Sequence, residues 1–237
     1  MIARAGQMTT DGKSGVSGDW DANIHYQADD VAGRYDAERF STLAGRVFND
    51  RERRLVVGAF AGLSRGSRIA DVPCGTGRLA EPLLAAGFRV HGMDISGQML
   101  GVASRRLARF GATFTTEVAD AKKLSAGAGT FDGVLCARVL MHFELPEQIE
   151  FLRGVAKLTR GIVVINHSYD SPFQRLRRKL KRLLGHQAPA RHPISDRGIE
   201  ALLEGAGLHE IRRVRLNRLV SEAVYITAVP NAPGVRA

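Results

Sequence analysis

A short stretch at residues 69–78 constrains the fold of this chain more than any other feature. The apolar run Ile69–Val72 leads into a turn with two glycines, Gly75 and Gly77, and a helix-like segment follows at once. This succession predicts a buried strand, a tight turn and a helix. Because glycine has no Cβ, the backbone of the turn can lie against a ligand, and the N–H groups of the helix N-terminus point toward it. The stretch therefore predicts a nucleotide-binding turn.

The acidic residue before the turn separates the possible ligands. The glycines alone also fit the dinucleotide fingerprint, since Gly75-x-Gly77-x-x-Ala80 carries alanine in the third position. Asp71 is expected at the end of the strand, in the same crevice, where its carboxylate repels a pyrophosphate but accepts hydrogen bonds from an ammonium group. The pattern Asp71-x-x-x-Gly75-x-Gly77 resembles the first motif of the class I S-adenosylmethionine-dependent methyltransferases, whose ligand carries an amino-acid tail and no phosphate.

Further acidic residues follow in the order that this resemblance implies. Asp94 lies 19 residues after Gly75, close to the spacing of the acidic residue that holds ribose hydroxyls. The segment that Asp94 opens resembles the family's second motif and places Ile95 and Met99 beside an adenine ring. Asp120 resembles the third acidic position, whose side chain hydrogen-bonds the adenine amino group, although aspartate at such a junction is also ordinary turn chemistry.

The resemblance covers roughly residues 67–229 and looks closest to the bacterial small-molecule group that includes quinone and natural-product methyltransferases. It implies S-adenosyl-L-methionine as the cofactor, S-adenosyl-L-homocysteine as the product, and a small-molecule acceptor such as a natural product, a quinone or a lipid-like compound. The residues that it implies around the cofactor are Tyr35, Asp71, Pro73, Cys74, Gly75, Gly77, Asp94, Ile95, Met99, Asp120, Ala121 and Arg138.

Strand and helix patterns alternate from residue 67 onward, and the last two strand patterns follow each other without a helix between them. The expected fold is a single Rossmann-like α/β domain with a seven-stranded, mostly parallel sheet and an antiparallel last strand. The expected divisions are a disordered tail at 1–19, a methyltransferase domain at 20–230 with a helical N-terminal cap at 20–63 and a basic helical insertion or lid at 172–194, and a disordered tail at 231–237.

Few residues need to be chemical, because methyl transfer from a sulfonium is an in-line displacement that depends mainly on positioning. His142, after the fourth strand, is the first candidate for a general base, or else it simply packs the loop. His167 and Tyr169 follow the fifth strand and are expected to face the same crevice. Arg138 is expected to bind an anionic substrate group or to pair with a carboxylate such as Asp120.

The net charge of +10 and the pI of about 10.3 would suggest a nucleic-acid partner, but the charge is local. Residues 171–195 contain seven basic residues and no acidic one, which leaves +3 for the rest of the chain. Within this segment, Phe173, Leu176, Leu180, Leu183 and Leu184 recur at helical spacing and predict an amphipathic helix with a cationic face. Three hypotheses follow: a lid over the acceptor pocket, a membrane contact, or a surface helix packed on the domain.

Two other functions compete with small-molecule methylation. An RNA methyltransferase is disfavoured because Cys136-Ala137-Arg138-Val139 stands where exocyclic amino methyltransferases carry Asn-Pro-Pro-aromatic, and no basic stripe interleaves with stacking aromatics. The other is a non-catalytic nucleotide-binding or interaction module that uses the basic helix. No apolar run approaches the roughly 18 to 20 residues of a membrane span, and no signal region follows the N-terminus, so a cytoplasmic location is expected. The two cysteines are too few for a disulfide scaffold, and no metal site is expected.

Overall fold

The computed structural model describes residues 42–124, 129–183, 192–217 and 221–231. They contain one seven-stranded sheet in the order β3-β2-β1-β4-β5-β7-β6. The strands are β1 Arg68–Asp71, β2 Arg89–Asp94, β3 Phe114–Val118, β4 Phe131–Cys136, β5 Thr159–Ser168, β6 Leu208–Arg215 and β7 Ala223–Pro230.

Strands β1 to β5 are mutually parallel, and β7 is antiparallel to both β5 and β6. The predicted fold class is therefore confirmed, including the antiparallel end of the sheet. The chain order reverses next to β1, which has β2 on one side and β4 on the other. In open α/β sheets, ligands bind outside the carboxyl ends of the strands at such a switch point.

Six α-helices flank the sheet in the described part of the chain: α1 Leu43–Ala59, α2 Ala80–Ala85, α3 Gly97–Leu107, α4 Leu145–Ala156, α5 Pro172–Leu183 and α6 Asp196–Ala206. Side-chain caps fix several helix starts, since Ser96 accepts from the Met99 amide and Ser195 from the Gly198 amide. Gly207 ends α6 in the left-handed conformation, with φ of 73°. No helix of the described residues is long and apolar enough to cross a membrane.

The sheet separates two apolar cores, because neighbouring side chains of a strand point to opposite faces. In β4, Val134 joins the core with Phe151 of α4 and Ile199 of α6. The next residue, Leu135, joins the core with Phe60, which follows α1, and with Leu83 of α2. Both faces of the central strands are thus covered, as a parallel sheet requires.

Several predicted segments lie wholly or partly outside the described residues. The N-terminal tail and the first half of the helical cap, with Tyr35, are among them, and so are Leu184 and most of the C-terminal tail. The described part of the cap is α1, and the described helix of the basic insertion is α5.

Candidate functional site

A cleft lies at the carboxyl ends of β1, β2 and β4. The loops that leave these three strands supply most of its walls, with α4 closing one side. Its lining residues are Asp71, Val72, Pro73, Cys74, Gly75, Thr76, Arg78, Leu79, Met93, Asp94, Ile95, Met99, Ala119, Asp120, Ala121, Lys122, Ala137, Arg138, Val139, His142, Phe143 and Phe151. Every residue that the sequence placed around the cofactor lies on this wall, except Gly77 and the undescribed Tyr35.

The two glycines of the turn have different tasks. Both have positive φ, 56° at Gly75 and 73° at Gly77, which favours glycine. A Cβ added at Gly75 meets nothing within 4 Å, so this glycine borders open space in the cleft. A Cβ added at Gly77 would lie only 2.7 Å from Cδ1 of Leu107. Gly77 therefore lets α3 pack closely on the turn, and its place beside a ligand stays a prediction.

Asp71 is buried in the cleft with an incomplete set of hydrogen bonds. The Cys74 thiol donates a hydrogen bond to its carboxyl group. The carboxyl Oδ2 has no hydrogen-bond partner among the described residues. Burial raises the pKa of Asp71 well above its usual value, and the nearby Asp94 adds to the shift, while the hydrogen bond from Cys74 opposes it. A cationic group in the cleft would supply both a partner and a compensating charge.

Asp94 is held by the backbone. Its Oδ2 accepts from the Gly75 amide at 2.8 Å, and its Oδ1 accepts from the Ser96 amide at 2.9 Å. Burial raises the pKa of Asp94, and the hydrogen bonds from these amides oppose that shift. The two amides fix the carboxylate at the end of β2, beside Ile95 and Met99, and connect it directly to the glycine turn.

Asp120 has the turn role that the sequence offered and also lies at the cleft wall, while its contact with adenine stays a prediction. Its Oδ1 accepts from the Lys122 amide at 2.9 Å and so caps the short 3-10 helix Ala121–Lys123. The residue also lines the cleft. Turn chemistry therefore positions this side chain at the cleft wall.

A buried ion network braces the opposite wall. Arg138, with a positive φ of 64°, donates from Nη2 to both carboxylate oxygens of Glu52 in α1, at 2.9 and 2.8 Å. Glu52 also pairs with Nη1 of Arg78 at 2.7 Å and accepts from the Tyr225 hydroxyl at 2.6 Å. Burial alone would raise the pKa of Glu52, but the two guanidinium groups outweigh it, and the pKa is lowered. Arg138 thus pairs with a carboxylate, that of Glu52, as one of the two alternatives from the sequence expected.

Sequence reasoning missed Glu52 altogether. Its partners Arg138 and Tyr225 lie 86 and 173 residues away in the chain, and no local spacing could link them. For Arg78 the sequence offered a weak indication of a place near the site, because this residue directly follows the glycine turn.

His142 lies in the cleft wall, on the short 3-10 helix Leu140–His142 that follows β4. The side chain is half-buried. Next to it, the rings of Phe143 and Phe151 pack with their centroids 5.7 Å apart and make this wall apolar. The structure therefore brings His142 into the same cleft as Asp71 and Asp94.

His167 and Tyr169 lie elsewhere, and the expectation that they face the cleft is wrong. The His167 ring is fully buried, with Nε2 3.0 Å from Oε1 of Gln148 and Nδ1 3.1 Å from the Ser168 carbonyl. Burial lowers its pKa to about 4. The Tyr169 hydroxyl donates to Asp196 at 2.6 Å. Neither residue lines the cleft.

Residues 69–161 match a family model described as a methyltransferase domain. Among curated proteins, a ubiquinone biosynthesis O-methyltransferase of Aromatoleum aromaticum is 39% identical over 101 residues, which is 42% of each chain. One of Caulobacter sp. is 40% identical over 103 residues, covering 42% of this chain and 40% of that protein. The match thus spans about two fifths of the length of these curated relatives.

Solved structures share the fold over most of the chain. Magnesium protoporphyrin IX methyltransferase of Synechocystis with bound S-adenosylhomocysteine superposes with a TM-score of 0.71 at 20% identity, covering 89% of this chain and 100% of that one. The [4+2]-cyclase SpnF superposes with a TM-score of 0.60 at 16% identity, covering 77% of this chain and 80% of that one. At these identities the likeness concerns the fold, which hosts more than one chemistry.

Proposed function

We propose that this chain, a member of the class I S-adenosylmethionine-dependent methyltransferases, transfers a methyl group from S-adenosylmethionine to a small-molecule acceptor. The observation that carries the proposal is the buried Asp71 carboxyl, whose Oδ2 lacks a partner among the described residues. The ammonium of an amino-acid tail fits this place, because it donates hydrogen bonds and offsets a buried negative charge.

The other cleft residues are proposed to hold the rest of the cofactor. Asp94, oriented by two backbone amides, accepts hydrogen bonds from the ribose hydroxyls. Ile95 and Met99 flank the adenine ring, and Asp120 accepts from its amino group. Open space beside Gly75 leaves room for the chain that joins the amino-acid tail to the nucleoside.

When bound, the cofactor supplies a methyl group on a cationic sulfonium. The protein residues orient the acceptor and remove its proton. We assign the proton transfer to His142, because its imidazole lies in the cleft wall and an imidazole nitrogen can act as a general base. The apolar wall of Phe143 and Phe151 limits the access of water.

A hydroxyl oxygen on a quinone-like or lipid-like molecule is the proposed acceptor class. The support is the name of the two matched relatives, ubiquinone biosynthesis O-methyltransferase, together with the apolar wall beside His142. A hydroxyl must lose its proton during methylation, which gives a base at position 142 a task. The cytoplasmic location expected from the sequence stays a prediction.

Isothermal titration with S-adenosylmethionine, followed by a turnover assay on hydroxylated aromatic acceptors, tests the proposal. The wild type should bind the cofactor and form S-adenosylhomocysteine. His142→Ala should lower turnover by about 100-fold, because a general base contributes that much, and should change cofactor affinity little. The matched control is His209→Ala, since this histidine is exposed on β6.

Three outcomes would contradict the proposal in different ways. Absence of cofactor binding by the wild type would remove the methyltransferase function. Binding without formation of S-adenosylhomocysteine on any acceptor would favour the nucleotide-binding module. Methylation of RNA and not of small molecules would favour the RNA methyltransferase.

A further inference from the structure

Helix α5 presents a stripe of large apolar side chains to solvent. Phe173, Leu176, Leu180 and Leu183 are 49%, 57%, 52% and 75% exposed. Their spacing of three, four and three residues places them on one face of the helix. We call these four residues the apolar stripe. A surface helix ordinarily turns such a face toward the core, so this orientation is reversed.

Polar side chains attach the other face of α5 to the domain. Gln174 is buried, and its Nε2 donates to the Ser221 carbonyl at 3.4 Å. Arg178 forms salt bridges with Asp170 and with Glu222, the latter at 3.2 Å. These contacts hold the helix with the apolar stripe outward. Within the part of the chain that the structure describes, the stripe therefore stays largely exposed, and no described residue of α5 lines the cleft.

Basic side chains accompany the apolar stripe. Arg175 and Lys179 are exposed on the same helix, and residues 171–195 contain no acidic residue. Arg175 bonds to Asp170 at 2.8 Å, but 62% of its side chain is still exposed. Apolar side chains flanked by cations match an anionic lipid surface, where the former enter the acyl boundary and the latter meet the headgroups.

Helix α5 also lies at the edge of the sheet that is formed by the carboxyl ends of the parallel strands, where the cleft opens. It follows the carboxyl end of β5, and its contacts Ser221 and Glu222 directly precede β7. Because β7 is antiparallel to β5, with Ala223 opposite Ser168, the start of β7 lies at that same edge. The carboxyl ends of β1, β2 and β4 meet the cleft there. A lipid surface bound to α5 therefore lies on the same side of the sheet as the opening of the cleft.

We propose that α5 docks the protein on an anionic membrane surface through the apolar stripe and its neighbouring cations. Docking on this edge brings the cleft mouth toward the lipid, from which a lipid-soluble acceptor can enter. The entry of an acceptor from the lipid rests on the proposed function, whereas docking itself does not.

Flotation of the full chain with lipid vesicles tests the docking. The wild type should float with vesicles that contain phosphatidylglycerol and much less with pure phosphatidylcholine. Leu176→Ser combined with Leu180→Ser should lower the bound fraction at least about tenfold, because two apolar anchors are lost. Arg175→Gln combined with Lys179→Gln should weaken binding to anionic vesicles several-fold and reduce its salt dependence.

The matched control is Ile211→Ser, which removes an apolar side chain of similar exposure, 59%, from β6 and should leave flotation unchanged. Docking is refuted when the wild type stays unbound or when the serine double variant floats like the wild type. It is equally refuted when light scattering without lipid shows a wild-type dimer that this variant makes monomeric, because the stripe is then an interface between copies.

Cofactor titration in the absence of lipid separates this proposal from the proposed function. All of these variants should bind S-adenosylmethionine like the wild type, because the cleft lining contains none of the substituted residues. A wild type that floats but does not bind the cofactor would preserve docking and remove the methyltransferase function. The acceptor claim is tested by adding anionic vesicles to a turnover assay with a lipid-soluble acceptor: the Michaelis constant should fall for the wild type and not for the serine double variant.

Discussion

Asp71 and His167 are buried polar residues at the carboxyl ends of strands in the same sheet, but they differ in their hydrogen bonding. Asp71, at the end of β1, lines the cleft and has an oxygen without a partner among the described residues. His167, near the end of β5, lines no part of the cleft, and both of its nitrogens lie against Gln148 and Ser168. Burial at a strand end is common to both, so it does not mark a functional residue. The difference lies in the hydrogen-bonding capacity that the protein leaves for a ligand.

The course of the chain after each strand explains the contrast. After β4, Arg138 takes a positive φ and a short 3-10 helix turns His142 into the cleft. Strand β5 instead continues to Ser168 and pairs with β7 along its last residues, with His167 opposite Val224. The ends of β1, β2 and β4, which we call the cleft side, therefore form most of the cleft wall. The end of β5 with its partner β7, which we call the β5 side, pairs within the sheet instead.

The largest expected effect concerns the ion network behind the cleft side. Glu52→Gln should lower the free energy of unfolding by about 3 to 5 kcal/mol, because it leaves the buried guanidinium of Arg78 and the partly buried one of Arg138 without their carboxylate. Urea denaturation followed by circular dichroism measures the loss. Glu200→Gln is the control, since Glu200 is exposed on α6 and should change stability by no more than about 0.5 kcal/mol. Equal stability of the two variants would show that the network does not hold α1 against the cleft side.

The next largest effect tests whether His167, on the β5 side, has a structural role. The pKa of His167 is lowered to about 4 in the folded protein, from an ordinary 6.5, so the unfolded chain binds the extra proton between these values. The free energy of unfolding should therefore fall by about 3 kcal/mol as the pH drops from 6.5 to 4 through this group. His167→Asn should lack this part of the slope, whereas His209→Asn on the exposed face of β6 should keep it. A folded His167→Asn protein that has lost turnover would instead place His167 in the chemistry.

Asp71→Asn tests whether this carboxyl group on the cleft side binds the cofactor. The substitution should weaken cofactor binding by about 1.5 to 3 kcal/mol, which corresponds to about 10- to 150-fold in affinity. The variant should be no less stable than the wild type at pH 8, because a carboxyl with a raised pKa loses stability as the pH rises and it ionises. Titration calorimetry should also show that wild-type affinity weakens as the pH falls through the raised pKa, since the proton competes with the ammonium. Affinity that is unchanged in Asp71→Asn would contradict the assignment of the ammonium.

The sequence predicted the cleft side far better than the β5 side. Asp71, Gly75 and Asp94 are close in sequence to the strands that position them, so strand order and motif spacing suffice to place them together. Gly77 was placed on the right turn, but its packing against Leu107 depends on how closely α3 approaches, which spacing does not contain.

The errors came from side-chain direction and from distant contacts. His167 is the last residue but one of β5 and Tyr169 directly follows the strand, but their side chains bond to Gln148 and Asp196, and neither lines the cleft. The amphipathic pattern of α5 was visible in the sequence. Its outward orientation was not, because it depends on contacts that Gln174 and Arg178 make with residues before β7.

The smallest expected effect is that of Tyr169→Phe, which is compared with a matched substitution, Tyr225→Phe, at the ion network behind the cleft side. Tyr169→Phe removes a hydroxyl that donates to Asp196 near the surface, so the loss of stability should be at most about 1 kcal/mol, and turnover should not change. Tyr225→Phe removes a hydroxyl that donates to the buried Glu52 beside the cleft side, so it should cost more, about 1.5 to 3 kcal/mol. Both substitutions delete one oxygen and keep the ring, so burial and charge at the partner carboxylate account for the difference. A turnover loss of tenfold or more in Tyr169→Phe, with Tyr225→Phe unaffected, would reverse the comparison and give the β5 side a part in the chemistry.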